Sequence, residues 1–143
     1  MAGAVNPAAQ PIAILAVDDE PGVLALVRRC LDDERVTLFE ASNGKDALAH
    51  FPKGPALDLL ITDLVMPNMS GRELIERIQQ LSPSTRILCS SGYVRATNLE
   101  EQDSYLQKPF TSQDLLRKVK QVLASAPPPA TGPGPRWSAE PGM

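Results

Sequence analysis

Residues 12–20 read IAILAVDDE: six apolar residues run without interruption into three acids. A strand with one wet face would alternate apolar and polar residues. An unbroken apolar run of this length predicts a strand buried on both faces, as in a parallel sheet covered by helices. Pro21 follows, where a missing N–H is tolerated in a first helical turn. Beyond it Val23, Leu24, Leu26, Val27 and Leu31 recur at helical spacing.

The same alternation continues along the chain. Arg35–Glu40 (RVTLFE) predicts a second strand. Asn43-Gly44 is a turn, and Lys45–Phe51 a short helix with Ala47, Leu48 and Phe51 facing inward. Leu57–Thr62 (LDLLIT) is a third strand. Arg72–Leu81 is a third helix, with Leu74, Ile75, Ile78 and Leu81 on one face. Arg86–Ser90 is a fourth strand and Tyr105–Gln107 a short fifth one. Thr111–Ala124 is an amphipathic helix, carried by Leu115, Leu116, Val119, Val122 and Leu123. Thr111 can cap it, with Asp114 three residues on as the reciprocal partner. Strand–helix alternation implies βαβ units, a parallel sheet and helices on both of its faces. The segment Val94–Ser104 breaks the rhythm. Its only aliphatic side chains are Val94, Ala96 and Leu99, so a helix there is short or irregular.

Composition limits the function. The 143 residues suit about one domain. Fourteen basic residues against 17 acidic ones give a net charge of −3, and no basic run offers a phosphate-backbone footprint, so direct nucleic-acid binding is not expected. No apolar stretch approaches the ~20 residues that span a bilayer. The N-terminal residues lack the charged start and apolar core of a secretion signal, which predicts a cytoplasmic protein. Cys30 and Cys89 are too few for a disulfide framework and read as buried or half-buried thiols. Residues 1–11 read as a loose leader. Residues 126–143 hold six prolines and three glycines, so residues 125–143 read as a disordered tail, with Trp137 either a bystander in it or a short docking anchor. The folded unit is expected over residues 12–124.

Ligands bind outside the carboxyl ends of strands in an open parallel sheet. Asp18, Asp19 and Glu20 follow the first strand, Asp63 the third, Ser91 and Gly92 the fourth, Lys108 and Pro109 the fifth. Acids, a hydroxyl and an ammonium thus converge on one rim. Crowded carboxylates need a cation, and an oxygen-only, partly hydrated site suits Mg²⁺. A carboxylate beside that ion can act as nucleophile toward phosphorus. Lys108 and Ser91 can then share the charge of a phosphoryl group. Taken singly, these residues have plainer readings: a solvated acidic turn, a surface lysine, and a Tyr105 packed on the sheet edge. His50, without a second ligand in reach along the sequence, reads as a surface residue. The Arg28-Arg29 pair reads as the solvated face of the first helix, or as a rim for an acidic partner.

The set VDDE (17–20), DLVMPNMSG (63–71), SSGY (90–93) and KPF (108–110) resembles the receiver domains of two-component signalling, over about residues 12–124. The resemblance implies a flavodoxin-like, doubly wound five-stranded parallel sheet of order 2-1-3-4-5. It implies that Asp63 is the phosphoacceptor. Mg²⁺ would be held by Asp18, Asp19 (the more direct ligand), Asp63 and the backbone carbonyl of Val65. Lys108 and Ser91 would bind the phosphoryl group, and Ser91 and Tyr105 would form the switch. The Lys108–Pro109 peptide is expected to be cis. The implied partners are a histidine kinase or histidine phosphotransfer protein and a downstream protein. The chain would assist its own phosphorylation without being a turnover enzyme.

The segment from Ser91 to Lys108 is shorter than in chemotaxis-type receivers. The SGY variant resembles receivers attached to hybrid histidine kinases, so a single-domain regulator and a piece of a larger kinase both remain open. The shortening shifts expected docking toward the first and last helices. Val65 and Tyr93, two residues beyond Asp63 and Ser91, imply slow self-dephosphorylation. Two other functions compete. One is a receiver-like module that binds partners without phosphate. The other is a phosphatase with an aspartyl-phosphate intermediate, which would ordinarily place an acid where Val65 stands.

Overall fold

A computed structural model describes residues 11–51, 57–92 and 105–124. Five strands, β1 (Ile12–Val17), β2 (Val36–Ala41), β3 (Leu59–Asp63), β4 (Arg86–Ser91) and β5 (Tyr105–Gln107), form one sheet in the order β2-β1-β3-β4-β5. Every neighbouring pair is parallel. Four helices accompany them among the described residues: α1 (Pro21–Cys30), α2 (Gly44–His50), α3 (Gly71–Leu81) and α4 (Ser112–Ala124). This is the doubly wound, flavodoxin-like order expected from the sequence.

The apolar run of β1 is buried as it predicts, and its alternate residues feed two cores. Ala13, Leu15 and Val17 pack with Ala47 of α2 and Leu74, Ile75 and Ile78 of α3. Ile14 and Ala16 pack with Val27 of α1 and Leu115, Val119 and Val122 of α4. Burying a Leu, Ile or Val side chain stabilises by roughly 1.5–3 kcal/mol, so these two layers dominate the stability of the domain.

Several boundaries move. β2 begins at Val36 because the Arg35 N–H turns to the Asp33 carboxylate at 2.7 Å instead of joining the ladder. β3 begins at Leu59, just after Asp58, whose backbone still bonds to Ala13 and Arg86 and whose carboxylate also accepts the Ala13 N–H at 2.9 Å. α2 starts after Asn43, whose side-chain oxygen accepts the Asp46 N–H at 2.8 Å. The capping box of α4 forms as expected: Thr111 Oγ1 accepts from Asp114 N–H at 3.0 Å, and the Asp114 carboxylate accepts from Thr111 N–H at 3.1 Å. Leu81 departs from expectation, being 57% exposed rather than inward. It is the last residue of α3, and fully buried Thr85 closes the core beneath that turn, donating to the Leu57 carbonyl at 2.8 Å.

Cys89 is buried and Cys30 half-buried, both as free thiols; burial pushes the Cys89 thiol up to about 12. The expected leader before residue 11, the irregular fourth helix of residues 94–104, Tyr93, the tail from residue 125 and Trp137 lie outside the described residues, as does the side chain of His50.

Candidate functional site

The sheet order reverses between β1 and β3, whose carboxyl ends lie side by side. Val17 is in register with Thr62, so the next residues, Asp18 and Asp63, emerge together. Both are buried, at 3% and 5% exposure, whereas Asp19 is exposed. Oxygens from Asp18, Asp19 and Asp63 lie within 4.8 Å of one another.

The backbone orients these acids. Asp18 Oδ1 accepts the Glu20 N–H at 2.9 Å, and Asp63 Oδ1 accepts the Val65 N–H at 3.3 Å. Lys108, at the end of β5, brings its Nζ to 3.0 Å from Asp18 Oδ2, 3.2 Å from Asp63 Oδ2 and 3.2 Å from Glu20 Oε1. The contact with Asp18 Oδ2 is close but not aligned as a hydrogen bond, so that buried oxygen has no hydrogen-bond donor. Burial raises the Asp18 carboxyl above its ordinary range, opposed by the Glu20 N–H and the Lys108 ammonium. Burial alone would lower the Lys108 ammonium. Contacts with Asp18 and Asp63 outweigh it and hold the lysine firmly protonated.

The loop after Asp63 is bent by necessity. Asn68 takes a left-handed conformation (φ 73°), which Asn tolerates better than most residues. The chain then returns so closely that a β-carbon on Gly71 would collide with the Asp63 carbonyl oxygen. Only glycine fits there. The Gly71 N–H donates to the Leu64 carbonyl at 3.0 Å, closing the loop.

Ser91 ends β4, buried, and its carbonyl accepts two donors: the Lys108 N–H at 2.8 Å and the Tyr105 hydroxyl at 3.3 Å. The Tyr105 ring is buried against the α2/α3 core, and the Lys108–Pro109 peptide is cis as expected. Asp63, Ser91 and Lys108 line a cavity of about 630 Å³ whose opposite wall is apolar, with Val23 and Leu26 of α1 and Phe110 beyond β5.

The structure thus brings Asp19, Asp63, Val65, Ser91 and Lys108 to the wall of one cavity, with Asp18 beside Lys108 and Asp63, and Tyr105 one layer behind. Glu20 was noted in the sequence only as a third acid. Its ion pair with Lys108 joins residues 88 positions apart, a separation that local pattern does not reveal. The Arg28–Glu40 pair, with nitrogen–oxygen distances of 2.8 and 2.7 Å, was likewise missed. Four carboxylates face one ammonium here. Excess negative charge, hard oxygen donors and an orphaned buried oxygen on Asp18 together fit a divalent cation such as Mg²⁺.

An open α/β sheet with acids and an ammonium at its reversal point defines a class of domain built to receive a small, highly charged group. Comparison with known proteins narrows the class. The sequence profile of the response regulator receiver domain matches residues 14–120. The chain is 34% identical over 119 residues to the transcriptional regulatory protein TrcR of Mycobacterium tuberculosis, covering 79% of this chain and 46% of that protein. An uncharacterized 14.6 kDa protein of Leptolyngbya boryana is 34% identical over 128 residues, with 82% and 94% covered. The autoinducer 1 sensor kinase/phosphatase LuxN of Vibrio harveyi is 36% identical over 116 residues, with 78% and 13% covered. Among solved structures, a CheY-like response regulator receiver domain protein from Methanospirillum hungatei superimposes with a TM-score of 0.70 at 28% identity, covering 80% of this chain and 94% of that one. The chemotaxis response regulator CheY4 of Vibrio cholerae gives 0.68 at 28% identity, covering 79% and 99%.

The chain belongs to the response regulator receiver domain family. It spans about half the length of TrcR and a small part of LuxN. Its role is that of a phosphoacceptor and signalling domain of two-component systems.

Proposed function

We propose that this domain takes a phosphoryl group onto Asp63 from a phosphohistidine on a histidine kinase or histidine phosphotransfer protein. It then changes shape to regulate the binding of a downstream protein. The observation that carries this reading is the cluster of Asp18, Asp19 and Asp63, with Lys108 Nζ 3.2 Å from Asp63 Oδ2.

In the transfer step an Asp63 carboxylate oxygen bonds to phosphorus as the phosphorus–nitrogen bond to the donor imidazole breaks. The electron pair stays on that nitrogen, which takes up a proton. Asp18, Asp19, Asp63 and the backbone carbonyl of Val65 would hold Mg²⁺, which when bound supplies positive charge to the phosphoryl oxygens. Lys108 neutralises a second oxygen, and the Ser91 hydroxyl donates to a third. The Val65 side chain, 57% exposed, offers no hydrogen bond to an attacking water, so the acyl phosphate decays slowly. Ser91 and Tyr105 form the switch, a reading supported by the bond from Tyr105 to the Ser91 carbonyl.

The functional unit spans residues 12–124, and the exposed faces of α1 and α4 are its docking surfaces. It does not turn over substrate. The net charge of −3 speaks against direct nucleic-acid binding, and no described helix is long and apolar enough to cross a membrane; the cytoplasm, where histidine kinases present their phosphohistidine, is its compartment.

Phosphotransfer from a panel of candidate kinases tests the reading. Wild type should be labelled in a Mg²⁺-dependent way and Asp63→Ala should not. Equal labelling of both would sink the assignment. A wild type that shows no spectral response to beryllofluoride would instead favour a phosphate-independent interaction module.

A further inference from the structure

Lys108 Nζ is shared by three carboxylates, but they are not equivalent. Asp18 and Asp63 are buried, and each is fixed by a backbone N–H. Glu20 is neither: its side chain is 62% exposed. It stands at the N-cap of α1, yet its carboxylate makes no capping hydrogen bond there. A short acid at that position ordinarily caps the free N–H groups of the first turn. This one reaches to a lysine across the cavity instead.

We propose that Glu20 is a positioning residue that latches Lys108 in the resting site and slows phosphorylation by competing with the incoming phosphoryl group for that ammonium. This rests on Asp63 being the phosphoacceptor. Lys108 Nζ donates to Asp63 and Glu20 and lies in ion-pair contact with Asp18. A phosphoryl oxygen must therefore compete with these carboxylates for the ammonium, and it gains most where one of them lets go. Glu20 alone can swing into water without moving buried backbone. Its negative charge also opposes the approach of an anionic donor, so the latch sets a threshold against small phosphate esters and anhydrides in solution. A docked donor protein can displace an exposed glutamate directly, and a small molecule cannot.

Acetyl phosphate with Mg²⁺ is the probe. In that reaction an Asp63 oxygen bonds to phosphorus, the bond from phosphorus to the acetyl oxygen breaks, and acetate leaves with the electron pair, with no proton gained or lost. Glu20→Gln removes the charge. Glu20→Asp keeps the charge but shortens the side chain by one methylene and lifts the carboxylate off Lys108. The latch predicts that both variants are labelled faster than wild type, about tenfold for Glu20→Gln at low salt and less for Glu20→Asp, with the gap narrowing as salt rises. It also predicts that the ¹⁵N signal of the Lys108 ammonium shifts in both. Acceleration by Glu20→Gln alone would reduce Glu20 to bulk repulsion and overturn the latch, as would rates equal to or below wild type. An unlabelled wild type would defeat the phosphoacceptor reading itself, a separate and recognisable failure.

Discussion

The hydroxyl of Tyr105 donates to the backbone carbonyl of Ser91 across 3.3 Å, from a ring that is buried in the core. The first residue of β5 is thereby tied to the last residue of β4, where the candidate phosphoryl ligand sits. A net hydrogen bond of this kind contributes about 1 kcal/mol. Tyr105→Phe should lower the free energy of urea unfolding by that amount, and Tyr105→Ala by about 3–5 kcal/mol through the cavity it opens. A Phe variant as stable as wild type would show that the hydroxyl bond is idle.

Gly71 stands where a β-carbon would strike the Asp63 carbonyl oxygen and lie 2.8 Å from the Leu64 Cα. Both obstacles are backbone and cannot rotate away. Gly71→Ala should destabilise by about 1–3 kcal/mol. Because the loop must shift where the acceptor is attached, labelling of Asp63 should slow by about tenfold or more. Denaturant titration and phosphotransfer rates on one preparation check both. Normal stability with normal labelling would contradict the geometry.

Asp18 is a buried carboxylate raised by burial, with one oxygen lacking a hydrogen-bond donor. Without divalent ions, Asp18→Asn should therefore leave the fold as stable as wild type or more stable by about 1 kcal/mol, as at other sites where function opposes stability. With Mg²⁺ the order should reverse. A ligand at a hundredfold its dissociation constant stabilises by about 2.7 kcal/mol, and the variant should forgo most of that. Thermal melts with and without Mg²⁺ make the comparison; equal Mg²⁺ stabilisation of both proteins would remove Asp18 from the metal site.

The Arg28 guanidinium makes a two-pronged contact with Glu40 and holds that carboxyl below its ordinary range. A depressed folded-state value means the pair contributes fully above the unfolded carboxylate value, about 4.3, and is lost as pH falls through the lower folded value. Arg28 is 59% exposed, so solvent screening keeps the contribution small. Glu40→Gln should lower stability slightly at pH 7 and by almost nothing near pH 3. A penalty that persists in acid would point to lost packing instead of lost charge.

The strand–helix order was legible because β1 and β3 are buried on both faces, and burial writes itself into sequence as unbroken apolar runs. The capping box of α4 was legible because Thr111 and Asp114 lie three residues apart. The acids and Lys108 were legible as candidates because a parallel sheet gathers its strand ends. What escaped were contacts set by tertiary geometry: Glu20 on Lys108, Arg28 on Glu40, and the Asp58 carboxylate on the Ala13 N–H. Leu81 misled for a related reason. Helical periodicity assigns a residue to a face, but it does not say where the neighbouring layer stops.

The sheet also controls what this domain can stick to. An exposed strand edge invites pairing with another chain. β5, one of the two outer strands, is only three residues long, and Pro109 two positions beyond it has no N–H to offer. On the opposite edge β2 carries Glu40, which draws the Arg28 guanidinium to that border. The turn that delivers Lys108 to the cavity therefore also blunts one flank of the sheet. A copy of this domain crowded against that flank should find little backbone to zip onto, so associations there are left to side chains and surface charge.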